Sequence, residues 1–275
     1  PNCEIYKGIA VLCYNKELVQ KASSCPNDYI VVLENQPALI RSSSYMNVMS
    51  LNANHKLSVF PHEFGHVFAV FAEEYIPAII PKNSKNCQSK CEEFKGEKNG
   101  CFQECSDSSH YRTIENGIMR TLNSKTYGIY NENLILGKLS KYTKITSRAI
   151  AENKNCEKEK YVLIEGEYRN KEIKIKNKTI ETGCSGNNGA GDFQYNLVLN
   201  DKTKLPSQDF NPELIFTDEQ ENNQETITGE TYQNEGNFYL KIPEIENANV
   251  LEISKDSQTL AEINLQNLDS RPCKI

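Results

Sequence analysis

Between Leu57 and Phe71 the apolar residues Phe60, Phe64, Val67, Phe68 and Phe71 recur at helical spacing. This pattern predicts an amphipathic helix, with Pro61 in its first turn or at a kink, since a proline deeper in the helix would cost a hydrogen bond. Upstream, residues 11–25 read as a short helix around Leu18 and Val19. Residues 28–33 form a continuous β-branched run, as expected of a buried central strand. Residues 45–49 alternate after three serines, Ser42, Ser43 and Ser44, and predict an edge strand with one wet face. Residues 121–150 read as helical, with Leu134, Ile135 and Leu139 as their apolar positions.

The texture changes near residue 151. Residues 151–160 are charged and polar, which predicts a linker between a first domain at 1–150 and a second at 161–275. In the second, apolar residues alternate with polar ones over short runs: Ile173/Ile175, Phe193 through Leu199, Phe238/Leu240/Ile242, Leu251/Ile253 and Ala261/Ile263/Leu265. Short strands separated by turn signals predict a small, Ig-like β-sandwich, with residues 255–258 as a hairpin turn. The glycine-rich stretch 183–191 lacks the strand–helix context of a phosphate loop and reads as an ordinary loop.

The predicted helix carries His62-Glu63-Phe64-Gly65-His66. Residues four apart share a helical face, so two imidazoles can grip one Zn²⁺ while Glu63 reaches a water beside it. His55 lies close by, so three of the chain's four histidines fall within a dozen positions. A hydrolytic zinc also needs a third protein ligand and an open position. The residue ten after His62 is Ala72, so the acidic pair Glu73-Glu74 supplies the candidates. On a straight helix Glu73 would lie roughly 10 Å beyond His66 along the axis. The chain must therefore turn back after about Val70 for either glutamate to reach the metal, and Glu73 is favoured over Glu74.

Composition narrows the setting. The chain has 275 residues, 38% of them hydrophobic and 25% charged, with a net charge of −6. That is globular composition, and interspersed charge of this sign gives a nucleic-acid partner no support. No apolar run approaches the ~20 residues of a membrane span, and no feature sets an oligomeric state. The chain begins at Pro1 without a signal-like segment, as expected of a mature or trimmed form whose signal or anchor lies elsewhere. Ten cysteines predict up to five disulfides and an extracellular or cell-surface location, against the alternative of buried free thiols. Cys87, Cys91, Cys101 and Cys105 form twin pairs, read as a loop stapled by two disulfides in preference to a second zinc site. Asn177-Lys178-Thr179 fits the glycosylation acceptor pattern.

The match around the helix extends through Ala72-Glu73-Glu74-Tyr75. Together these residues resemble the signature of the IgA-peptidase-type zinc metallo-endopeptidases, His-Glu-Phe-Gly-His followed after a spacer by Leu-Ala-Asp-Glu-Tyr. Tyr111-Arg112, the run Gly117-Ile118-Met119-Arg120 and the run from Tyr127 to Glu132 resemble that family's later segments. One departure is plain: Glu73 stands where the family has aspartate. The resemblance implies an α+β fold, a zincin-like catalytic domain of twisted sheet plus active-site helix. It also implies hydrolysis of protein or peptide substrates outside the cytoplasm, with one catalytic Zn²⁺.

On this reading the protein is a secreted zinc endopeptidase in which Glu63 is general base and then acid. Tyr111 and His110 are candidate oxyanion or substrate contacts by position alone. Met119 is either an apolar floor beneath the zinc, as in a methionine turn, or an ordinary core residue. If the 45–49 segment borders the cleft, a substrate can add to it as an extra strand. The competing expectation is an inactive scaffold serving as an extracellular binding or adhesion protein.

Overall fold

The computed structural model describes residues 2–94, 100–152, 156–219 and 224–266. The chain opens with a hairpin, β1 (Glu4–Tyr6) and β2 (Ala10–Leu12), followed by helix α1 (Lys16–Ala22). Asn15 caps α1 by accepting a hydrogen bond from Leu18 N, which satisfies one of the helix's free amides. Strands β3 (Ile30–Glu34), β4 (Ser42–Tyr45) and β5 (Val48–Asn52) lead into helix α2 (Val59–Ala69). A hairpin, β6 (Phe102–Cys105) and β7 (Asp107–Arg112), precedes helix α3 (Ile129–Glu152).

Strands dominate the remainder: β8 (Lys160–Arg169), β9 (Glu172–Thr182), β10 (Phe193–Leu199), β11 (Gln208–Phe210) and β12 (Leu214–Glu219). After them come β13 (Thr228–Gln233), β14 (Gly236–Pro243), β15 (Ala248–Lys255) and β16 (Gln258–Asn264). The sheet β14-β8-β9 and the sheet β11-β10-β15-β16 share one core. Val162, Ile164, Phe238 and Leu240 from the first meet Phe193, Tyr195, Leu251 and Ile253 from the second. Alternation delivers these side chains to one face of each strand, which is how a two-sheet packing arises. At the tip of β15–β16, Asp256 and Ser257 both take positive φ (55° and 64°), the backbone of a tight two-residue hairpin.

The expectation of an α+β, zincin-like catalytic domain at 1–150 is corrected. Among the described residues sixteen strands, distributed over five small sheets, stand against only three α-helices. The sheet beneath α2 has the order β13-β12-β4-β5-β3, so two of its five strands come from beyond residue 210. It therefore spans the linker expected at 151–160. β4, three serines and a tyrosine, is buried along its whole length. Its outer edge is completed by β12, antiparallel, with Phe216 opposite Ser44 and Asp218 opposite Ser42.

Two local expectations change with it. The 28–33 run becomes β3, which lies at the sheet's edge, with Val31 and Leu33 exposed. Residues 45–49 do not form a wet edge strand. They make the turn from β4 to β5, with Met46 at φ 55°, and they are buried.

Four disulfides staple the loops: Cys3–Cys13, Cys87–Cys105, Cys91–Cys101 and Cys156–Cys184. Such bonds persist in an oxidising compartment. Cys25 is a free, exposed thiol, and Cys273 lies outside the described residues. Among the described residues no helix is long and apolar enough to cross a membrane.

Candidate metal centre

Helix α2 buries both of its flanks. Val59 and Val67 pack on Met49 and Leu51 of β5, while Phe68 and Ala69 pack with Phe71, Ile118 and Met119. Pro61 falls in the first turn, where its missing N–H costs nothing. On the buried face between these clusters, His62 Nε2 and His66 Nε2 come within 3.2 Å of each other. Gly65 makes room beneath them: a Cβ there would lie 2.7 Å from Met119 Sδ and 3.2 Å from the Tyr127 ring.

Each imidazole is oriented by its other nitrogen. His62 Nδ1 lies 2.9 Å from the carbonyl of Ile118, and His66 Nδ1 lies 2.7 Å from that of Phe71. A carbonyl only accepts, so each neutral ring carries its proton on Nδ1 and turns the Nε2 lone pair toward the other ring. This tautomer is the one a metal-ligating histidine adopts, with its far N–H held by a backbone or carboxylate oxygen.

The chain then reverses to deliver the acidic group. Val70 ends α2 in the left-handed region (φ 58°, ψ 36°), uncommon for a β-branched residue, and Phe71 N returns to the carbonyl of Gly65 at 3.1 Å. Asn86 then clamps Ala72 through both its N–H and its carbonyl, at 2.8 and 2.9 Å. Ser106 Oγ donates to the Glu73 carbonyl at 2.7 Å. Behind this strap sits the Cys87–Cys105 disulfide, packed on Ala72.

The result brings Glu73 to the histidines, its Oε1 3.0 Å from His66 Nε2 and its Oε2 3.5 Å from His62 Nε2. Glu74 points elsewhere. Its Oε1 accepts from Asn131 Nδ2 and Asn86 Nδ2 at 2.8 and 3.1 Å. Burial, partly offset by those two amides, pushes Glu74 up to about 7.

A fourth donor comes from β12. Asp218 Oδ2 lies 3.4 Å from His62 Nε2 and 3.9 Å from His66 Nε2, while Tyr75 Oη donates to Asp218 Oδ1 at 2.7 Å. His62, His66, Glu73 and Asp218 each offer an atom within 4.8 Å of all the others. Sequence reasoning missed Asp218, which lies 152 residues beyond His66 and in no motif. Its one sequence signal is an acid on the same strand face as Phe216. His110 and Tyr111 are not part of the group: His110 pairs with Asp107 at 2.9 Å, and Tyr111 is hydrogen-bonded through its backbone to Gln88. Met119 is wholly buried against Gly65, and its carbonyl accepts from Glu74 N at 2.9 Å.

These donors fit a divalent cation. Both oxygens of Glu73 and Asp218 Oδ2 are buried without a hydrogen-bond partner, and so are both oxygens of Glu63. Unpartnered buried carboxylate oxygens cost several kcal/mol unless a cation compensates them. Two neutral imidazoles with two carboxylates balance a charge of +2, and a mixed nitrogen and oxygen set suits zinc.

Protons are the competing cations. Burial alone would depress His62, but Asp218 and Glu73 outweigh it and hold the ring at about 9. His66 falls to about 4, through burial and then the neighbouring His62 charge. Burial, followed by repulsion from Asp218, lifts both Glu63 and Glu73 well above the usual carboxylate range.

Compared with protein families, with curated proteins and with solved structures, the chain matches none.

Proposed function

We propose that the protein is a zinc-dependent hydrolase of peptide bonds that works outside the cytoplasm. One observation carries this reading. Three metal-type donors converge from α2 and its return strap, and directly beside them Glu63 is buried with both carboxylate oxygens unpaired. A purely structural zinc would require His62, His66 and their partners, but it would leave a buried carboxylate with no purpose.

His62, His66 and Glu73 would hold the ion, with Asp218 as a further donor. When bound, zinc supplies Lewis acidity to the scissile carbonyl and acidifies water. Glu63 takes the proton from the attacking water and delivers it to the departing amine nitrogen. Burial lifts Glu63 above the usual carboxylate range, so it holds a proton more readily than a free carboxylate, as a group that must accept and then return one requires. Ile118 and Phe71 keep the imidazoles aimed, and Asn86 holds the strap that carries Glu73.

The binding or adhesion scaffold is the second reading. It is favoured by the presence of four protein donors, because a four-coordinate zinc is ordinarily structural.

The test pairs metal analysis with Glu63→Gln. The parent should hold one zinc per chain and cleave an unfolded polypeptide in a chelator-sensitive way. Glu63→Gln should keep its zinc and lose about 10²-fold or more in rate. If the parent and Asp218→Asn both bind zinc and neither cleaves anything, the scaffold reading is left.

A further inference from the structure

The centre as folded is closed. His62, Glu63, Glu73 and Asp218 have no exposed surface, and His66 is 3% exposed. The free space beside His66 and Phe216 amounts to about 10 Å³, room for no more than about one water. A polypeptide can enter only in the fraction of molecules in which this closure opens.

On the β4 side the centre is closed by one element. Without β12, β4 would be the outer strand of its sheet beside α2, with a free row of backbone N–H and C=O groups. An extended polypeptide binds such an edge by adding a strand. β12 occupies that edge, antiparallel, with Thr217 opposite Ser43 and Asp218 opposite Ser42. Its side chains also fill the places a substrate would take. The Phe216 ring stacks on His66, with centroids 4.0 Å apart and planes 9° from parallel, and Asp218 inserts a carboxylate among the metal donors. β13 backs this arrangement: a Cβ on Gly229 would collide with Asp218 Oδ1 and Tyr75 Oη.

Building on the metal-centre reading, we propose that the β12–β13 hairpin is an internal stand-in for the substrate. The fold described here is then a latent form, and the substrate is an extended polypeptide that takes the place of β12, antiparallel to β4. Asp218 holds the coordination position that must open for hydrolysis. Access requires the hairpin to lift, so the apparent affinity for any outside ligand is reduced by the fraction of molecules that are open.

The test uses the full chain loaded with Co²⁺, whose visible absorption reports its donor set, and acetohydroxamate as an outside ligand for the metal. Three proteins are compared: the parent, Asp218→Asn, and Gly229→Ala, which keeps every donor residue and crowds the hairpin against Tyr75. Folding is checked by circular dichroism. In the parent the spectrum should hardly respond to acetohydroxamate. In both variants it should shift, with binding at least about tenfold tighter and a parallel rise in cleavage of an unfolded polypeptide.

Equal hydroxamate affinity in all three proteins would overturn the proposal, and so would folded, cobalt-loaded variants that stay closed. Loss of cobalt by Asp218→Asn would also overturn it, since Asp218 would then be a structural ligand. Variants that open to hydroxamate but cleave nothing would support closure while refuting the peptidase reading. Failure of all three to bind metal would refute both.

Discussion

Tyr75 donates its phenolic hydrogen to Asp218 Oδ1 at 2.7 Å, which leaves Oδ2 facing His62. One residue at the end of the return strap thus sets the aim of an acid from a strand more than 140 positions later. Tyr75→Phe removes that donor and leaves a buried carboxylate oxygen unpaired. We expect a loss of about 1.5–3 kcal/mol in urea unfolding, the range for a hydrogen bond to a charged group. A loss below about 0.5 kcal/mol would mean that Asp218 is held by other contacts.

The two neighbouring glutamates are expected to behave differently. Glu73→Gln should weaken zinc binding by more than the roughly 10–100-fold typical of losing an outer hydrogen-bond partner. Glu74→Gln should keep zinc affinity within about tenfold of the parent, since Glu74 serves Asn86 and Asn131 and not the metal. Competition against a fluorescent chelator reads both constants, and the reverse ranking would exchange the two roles.

The nested disulfides should also separate. Cys87–Cys105 packs against Ala72 behind the Glu73 strap, while Cys91–Cys101 closes the shorter loop nested inside it. Replacing either pair by alanine should cost about 3 kcal/mol of stability through loop entropy. Only the Cys87/Cys105 double variant should also lose zinc affinity, by about tenfold. Equal affinities in the two double variants would detach the staple from the metal centre.

How much of this was legible beforehand depended on distance along the chain. His62, Glu63 and His66 could be read because a helix relates positions four apart without outside help. The return after Val70 followed from length alone, since a straight helix would carry Glu73 away from the two histidines. The alternating strands beyond residue 160 were legible for the same local reason. Asp218 was not, because strand pairing between residues 42–44 and 216–218 leaves no mark on either segment alone. That long-range pairing also defeated the α+β expectation for residues 1–150: a sheet assigned to local elements took two strands from the far end of the chain. Val31 and Leu33 misled in the opposite sense, being apolar yet exposed on an edge.

Lys241 gives a pH signature away from the metal centre. It is buried in β14, with Nζ 3.4 Å from Asn27 Oδ1, and burial, only partly offset by Asp28, lowers it from 10.5 to about 8. Between those values the unfolded chain keeps a proton that the folded chain has released. The penalty of burying the charge is therefore fully present below about pH 8 and fades as pH rises toward 10. Relative to Lys241→Met, the parent should gain about 2 kcal/mol between pH 7 and pH 9.5 in urea unfolding. A difference between the two proteins that does not vary with pH would show that the ammonium is solvated.

The sheet order β13-β12-β4-β5-β3 carries a consequence for biosynthesis. A ribosome releases β3, β4, β5 and the two histidines long before it has made β12. Until then the nascent protein has imidazoles and Glu73 with no lid above them and an uncapped β4. Contacts this far apart in sequence form late and slowly. On the proposed metal reading there is accordingly an interval when an ion could reach His62, His66 and Glu73 unhindered, and the arrival of β12 brings it to an end.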